Sequence, residues 1–276
     1  MRLLALGLFS IAAAASACAQ PTSVARTLTA DPWCDETRRG WTDREVACEV
    51  REQVVQARAL DVAAHVNGAV TVKEWDRDDV LVRARVSAAA PTQAEAERLV
   101  RRTSVASAGG HIRAETPRTR GRRAYAGVAF EIFAPRHLSL RASVVNGPLT
   151  VHGLRGRIEA ETANGPVTLD GVGGDVSVDA ANGPVSITLG SRWAGRALRV
   201  GAANGPVTLD VPRGLSARVE AETANGRIRA QGLDVSQLDR QRGRYVGETL
   251  TATLGRGGPL LSLETANGPI TLRARG

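Results

Sequence analysis

Aromatic residues are nearly missing from this chain: three Phe, two Tyr and four Trp make up 3% of 276 residues. That shortage excludes a thick core of ordinary size, which relies on large aromatic side chains. It leaves room for a narrow core of Val, Leu, Ile and Ala, in which each repeat buries its face on its neighbours. Lysine is scarcer still. Lys73 stands alone, so the formal charge of +8 is carried almost wholly by Arg. The sequence has no H-E-x-x-H, no G-x-S-x-G elbow, no P-loop and no dinucleotide fingerprint. The four His, His65, His111, His137 and His152, fall in different segments without metal-ligand spacing. No metal or cofactor is therefore expected. Nucleic acid is excluded as a partner because the basic residues lack interleaved aromatics for base stacking.

What the chain has in abundance is Asn-Gly followed by a short alternating strand. The dipeptide begins at Asn67, Asn146, Asn164, Asn182, Asn204, Asn225 and Asn267, with steps from Asn146 of 18, 18, 22, 21 and 42 residues. Three residues after each Asn stands an apolar residue, as in Val70, Leu149, Val167 and Val185. Five after it stands Val72, Val151, Leu169 or Ile187, with Thr or Ser mostly between. This is the period of two of a strand with one buried face. Asn-Gly between such strands normally signals a hairpin, but Pro follows at 148, 166, 184, 206 and 269. In a two-residue hairpin that position donates the closing N–H, which Pro lacks. The expected fold is therefore all-β: a parallel β-solenoid, single-stranded and β-helix-like, with Asn-Gly corners whose side-chain amides stack into a ladder. The last step is twice 21, which predicts one degenerate coil with its corner at Arg242-Gly243. A meander or sandwich of hairpins is the alternative.

Residues 1–19 read as a secretory signal peptide, with an apolar run over 3–15 too short to span a membrane. Cleavage can follow Ala19. Alternatively, residues 15–18 resemble a lipobox that would make Cys18 a lipidated first residue. Either way Cys34 and Cys48 remain, and two Cys in an exported chain pair. Closing that 15-residue loop would contribute about 3 kcal/mol. Residues 20–57 are thus expected to be a disulfide-stapled segment and 58–276 the repeat domain.

Within the latter, Thr92 and Glu95 form a capping box that opens one short helical insertion, running to about Arg102. Asp76-Arg77-Asp78-Asp79 reads as a charged turn and 111–115 as a strand. Arg118, Arg120, Arg122 and Arg123 make the densest positive patch, a candidate anion-binding loop.

The pattern resembles a bacterial family known only as "putative adhesin", a β-strand-repeat domain of unknown function. The matching pieces are Val66-Asn67-Gly68-Ala69-Val70-Thr71-Val72, Pro135-Arg136-His137-Leu138-Ser139-Leu140 ahead of Asn146-Gly147, and Gly255-Arg256-Gly257-Gly258 ahead of Asn267-Gly268. They lie within residues 58–276. The resemblance implies a solenoid-like domain of the cell envelope, in some relatives linked to envelope stress, and supplies no catalytic residues.

The expected function is that of a non-catalytic exported protein, periplasmic, outer-membrane-associated or on the cell surface. It would contact an envelope protein or an anionic polysaccharide, and meet the membrane only through a lipid anchor. Two alternatives stand beside it. One is a polysaccharide-active enzyme using the acidic row three residues before each Asn, Glu161 and Asp179 above all; the other is an envelope-stress sensor.

Overall fold

The computed structural model describes residues 25–39, 43–119, 124–243 and 246–275. In chain order its elements begin with β1 (Ala25–Leu28), α1 (Pro32–Arg39), β2 (Glu45–Val55), β3 (Ala59–Asn67), β4 (Val70–Trp75), β5 (Val80–Ala90), α2 (Gln93–Arg102), β6 (Ser104–Ala108) and β7 (His111–Glu115). The middle of the chain supplies β8 (Tyr125–Pro135), β9 (Ser139–Asn146), β10 (Leu149–His152), β11 (Ile158–Asn164), β12 (Val167–Val172), β13 (Val176–Asn182), β14 (Val185–Leu189), β15 (Ala197–Asn204) and β16 (Val207–Pro212). The last third adds β17 (Ala217–Asn225), β18 (Ile228–Gln231), β19 (Val235–Arg242), β20 (Glu248–Leu254), β21 (Leu260–Asn267) and β22 (Ile270–Arg275).

These strands form two mixed sheets of eleven strands each. One runs β1-β2-β5-β8-β4-β10-β12-β14-β16-β22-β18, the other β19-β20-β17-β21-β15-β13-β11-β9-β3-β7-β6. Each Asn-Gly corner carries the chain from the second sheet to the first, so one strand–corner–strand unit forms a coil. Neighbouring coils pair in parallel and in register: Asn146 lies against Asn164, and Asn164 against Asn182. Antiparallel strands finish the body, with β2, β5 and β8 at one end and β19 and β20 at the other. All-β architecture is thus observed, but as two mixed sheets rather than a single uniform parallel array.

Alternation puts the apolar positions between the sheets. Val70, Leu149, Val167, Val185, Val207, Ile270 and Ile228 form one inward row, none more than 2% exposed. Leu60, Leu140, Ile158, Val176, Leu198, Leu261 and Val219 face them from the other sheet. Each such side chain contributes about 1.5–3 kcal/mol on burial, which is how a core this poor in aromatics holds. Where the step lengthens to 22, the extra residues carry Trp193, 9% exposed, whose Nε1 donates to the Gly174 carbonyl at 2.8 Å.

The corner chemistry explains the proline. Gly165 N–H donates to the Asn182 carbonyl and Val167 N–H to the Pro184 carbonyl, both at 2.9 Å. The residue between them is asked only for its carbonyl, so Pro costs nothing there. Glycine is required: Gly165 has φ +141°, and a Cβ on it would lie 2.1 Å from the Gly147 carbonyl oxygen.

Two expectations are corrected. Residues 235–254 do not form a further coil with a corner at Arg242-Gly243. They are the antiparallel hairpin β19–β20, closed by Gly243 N–H on the Gly247 carbonyl, because β19 lacks the alternating apolar residues that a coil strand buries and all but one of its residues are exposed. Helix α2 matches the predicted insertion, with Glu95 N–H reaching Thr92 Oγ1 at 3.4 Å. It is accompanied by a second helix, α1. Asp31 and Pro32 start α1: Asp31 Oδ1 accepts from Trp33 N–H at 2.9 Å, and Pro suits the first helical position.

Candidate interaction surface

The corner asparagines form a ladder along one edge of the body. Nδ2 of Asn164, Asn182 and Asn204 donates to Oδ1 of the Asn in the coil before it, at 3.0–3.1 Å. Asn267 then donates to Asn204 at 2.9 Å and Asn225 to Asn267 at 2.8 Å. Asn67 lies in register with Asn146. The rungs from Asn146 onward are exposed, so the ladder is an outer seam rather than a set of buried hydrogen bonds.

Cys34 and Cys48 form the disulfide, which fastens α1 to β2. Cys18 lies outside the described residues, as do Arg120, Arg122 and Arg123. Arg118 is exposed and lines a recess of about 770 Å³ with Arg98 and Arg102 of α2.

The acidic row is in register on the outer face of the second sheet. Glu161 pairs with Asp179, Asp179 with Gly201, Gly201 with Glu264 and Glu264 with Glu222. All four carboxylates are exposed. Glycoside hydrolysis places its two carboxylates on opposite sides of the scissile bond; Glu161 and Asp179 instead stand side by side on neighbouring strands, where they line a recess of about 190 Å³ with Arg141 and Glu159. Among the described residues no group of three or more His, Cys, Asp or Glu is placed to hold a metal ion.

Sequence reading missed one constellation. β7 pairs in parallel with β3 and brings His111 beside Asp61 across 50 residues of chain. Nδ1 of His111 lies 3.3 Å from Asp61 Oδ2, and Arg113 binds the same oxygen at 2.5 Å while its other nitrogen reaches the Asp61 carbonyl. Arg113, by hydrogen bond and charge, holds the Asp61 carboxyl below the usual carboxylate range, with His111 adding to the effect. Arg141 of β9 and Arg157, just before β11, share Glu159 of β11, at 3.2 and 2.8 Å. Asp61, His111, Arg141, Arg157 and Glu159, with the Gly109-Gly110 turn, frame a cleft of about 310 Å³. Arg141 and Arg157 keep 64% and 65% of their side chains exposed, so their remaining N–H donors point to solvent. No local motif signals this site, because the pairing of β3 with β7 creates it.

A second charged cluster lies on the first sheet. Arg83 bridges Asp31, Glu52 and Glu131 at 2.7–2.8 Å, and Lys73 also binds Glu131 at 2.9 Å. Burial pushes the Glu131 carboxyl up, but hydrogen bonds from Lys73 and Arg83 outweigh it and hold the group below its ordinary value. Every member is paired, which marks this cluster as a clamp between the N-terminal segment and the stack.

Solved structures resemble the chain at low identity. A "putative cell adhesion protein" from Clostridium sporogenes shares 10% identity over 82% of this chain and 100% of its own, with TM-score 0.48. A "putative adhesin" from Bacteroides fragilis shares 11% over 82% and 97%, with TM-score 0.35. A "putative lipid binding protein" from Parabacteroides distasonis shares 10% over 83% and 97%, with TM-score 0.31. No known family profile and no curated protein matches the sequence. Among the described residues no helix is long and apolar enough to cross a membrane.

Proposed function

We propose that this is a non-catalytic, exported envelope protein whose repeats form a two-sided β-solenoid and whose cleft beside His111 docks an anionic polymer of the envelope. The observation that carries the reading is the pair Arg141 and Arg157. Both hold one carboxylate, both keep free donors toward an open cleft, and Arg113 stands beyond them. Guanidinium groups so placed suit repeated carboxylates or sulfates, which they can bind bidentately. The net charge of +8 also favours an anionic partner. The disulfide fits an oxidising compartment, and attachment, if the chain is lipidated, would be through Cys18.

The test is titration of the mature protein with polygalacturonate at two salt concentrations. Binding that weakens with salt, and falls at least tenfold in Arg141→Ala/Arg157→Ala, is expected. Undiminished binding by that variant would refute the site. The enzyme reading keeps one observation in its favour, the register of Glu161 with Asp179. Polymer cleavage by the wild type that disappears in Glu161→Gln/Asp179→Asn would establish it instead.

A further inference from the structure

The C-terminal coil, β21–β22, is held on both sides by coils that precede it in the chain and do not pair with each other. β15 and β16 bond to it from one side, β17 and β18 from the other. Coils therefore stack in the order Asn182, Asn204, Asn267, Asn225, and the chain skips one coil height before returning to fill it. Without residues 260–275 the stack is one coil short: β15, β16 and β17 each keep an open edge there, and β18, whose one strand partner among the described residues is β22, has none.

The gap is chemically specific. Gly205 and Val207 N–H donate to the Asn267 and Pro269 carbonyls, and Gly268 and Ile270 N–H to the Asn225 and Arg227 carbonyls, at 2.9–3.0 Å. Asp210, 2% exposed, receives Arg273 at 2.7 and 3.0 Å and Arg275 at 3.0 Å. Leu261, Leu263, Ile270 and Leu272 fill the interior at 0–1% exposure. The tether into the coil is Gly255-Arg256-Gly257-Gly258-Pro259, with Gly255, Gly257 and Gly258 at φ +52°, +75° and +148°. Five residues reach about 17 Å when extended, more than three coil heights of about 4.8 Å.

We infer that this gap is a docking site for a strand–corner–strand segment, and that its occupant in trans is the C-terminal coil of a second copy of this chain, giving a reciprocally swapped dimer. Every contact that closes the gap is the same in cis and in trans, so tether and concentration decide between them. The gap also depends on the most distant pairings in this half of the chain, which form late because their loops must close first. A chain folding at high local concentration therefore meets a neighbour's coil while its own slot is still open.

Thr208 of β16 and Thr271 of β22 are register partners, both half-buried. Parallel neighbours stand about 4.8 Å apart, within the range a disulfide spans. Full-length Thr208→Cys and Thr271→Cys chains are co-refolded, oxidised and mapped by peptide mass. The full chain carrying both substitutions reports that the register is present, by closing the bond within itself. The expected result is an interchain 208–271 disulfide whose share rises with refolding concentration, with less than a tenth as much when the chains are folded before mixing. The inference is overturned if the double variant closes while the co-refolded single variants give no 208–271 link at any concentration. It is equally overturned if the double variant does not close, since the slot would then lack the register on which the exchange depends.

Discussion

At the scale of single residues, the corner positions divide into those whose backbone is indispensable and those whose side chain adds a smaller term. Gly165→Ala should lower stability by about 2–4 kcal/mol, because its Cβ would drive into the Gly147 carbonyl at a φ that L-residues avoid; a shift in denaturant midpoint reads it directly. Asn182 is different. A buried amide would cost about 1–3 kcal/mol to remove, but this one is exposed while bonded to Asn164 and Asn204. Asn182→Val should therefore cost about 1 kcal/mol, in the same assay. The charged clusters predict a pH effect. Asp61 and Glu131 have folded-state values below their unfolded ones, so their contribution is complete above the unfolded values, near 4. It is lost as pH falls through the lowered folded values. Glu131→Gln should flatten the stability profile over that acid window and leave its slope at pH 7 unchanged, as urea midpoints against pH would show.

Elements raise the question of how a stack of repeats ends. Each coil donates N–H groups to the carbonyls of the next, but among the described residues the coil of Asn225 has no successor. Glu248, 5% exposed at the start of β20, supplies the missing acceptor: its Oε2 takes Ile228 N–H at 2.8 Å, while Arg240 lies 3.3 Å from the other oxygen. Glu248→Ala should cost about 2–3 kcal/mol for the stranded donor and the lost pair. Hydrogen exchange should then speed up in β18 while β12 stays protected. At the opposite end the disulfide ties α1 to β2, and β2 pairs along its full length with β5. Cys34→Ser/Cys48→Ser should lower stability by about 3 kcal/mol, measured as a fall in denaturant midpoint. The strands and the helix over 93–102 were legible as periodicity and capping. The hairpin over 235–254 was not, because its outer strand, β19, lies on an exposed edge and carries no alternation to read: all but one of its residues are exposed.

On the scale of the whole molecule, the sequence by itself determined a great deal. The recurrence of Asn-Gly-Pro, the apolar residues two and four after each Gly, and the Cys pair establish a repeat-built β body, its buried faces and its corners. Local chemistry suffices for these, since φ freedom, a missing N–H and side-chain alternation all act within a few residues. The tertiary structure alone decided which coil lies beside which. Every coil presents nearly the same inward row and the same corner, so local pattern is satisfied by any neighbour. Placing Asn267 between Asn204 and Asn225 depends on non-local contacts, such as the Asp210 carboxylate receiving Arg273 and Arg275. The cleft of Asp61, His111, Arg141 and Arg157 has the same origin. Its residues come from strands that meet only after the sheet is built, and the pairing of β3 with β7 leaves no trace in the sequence around either one.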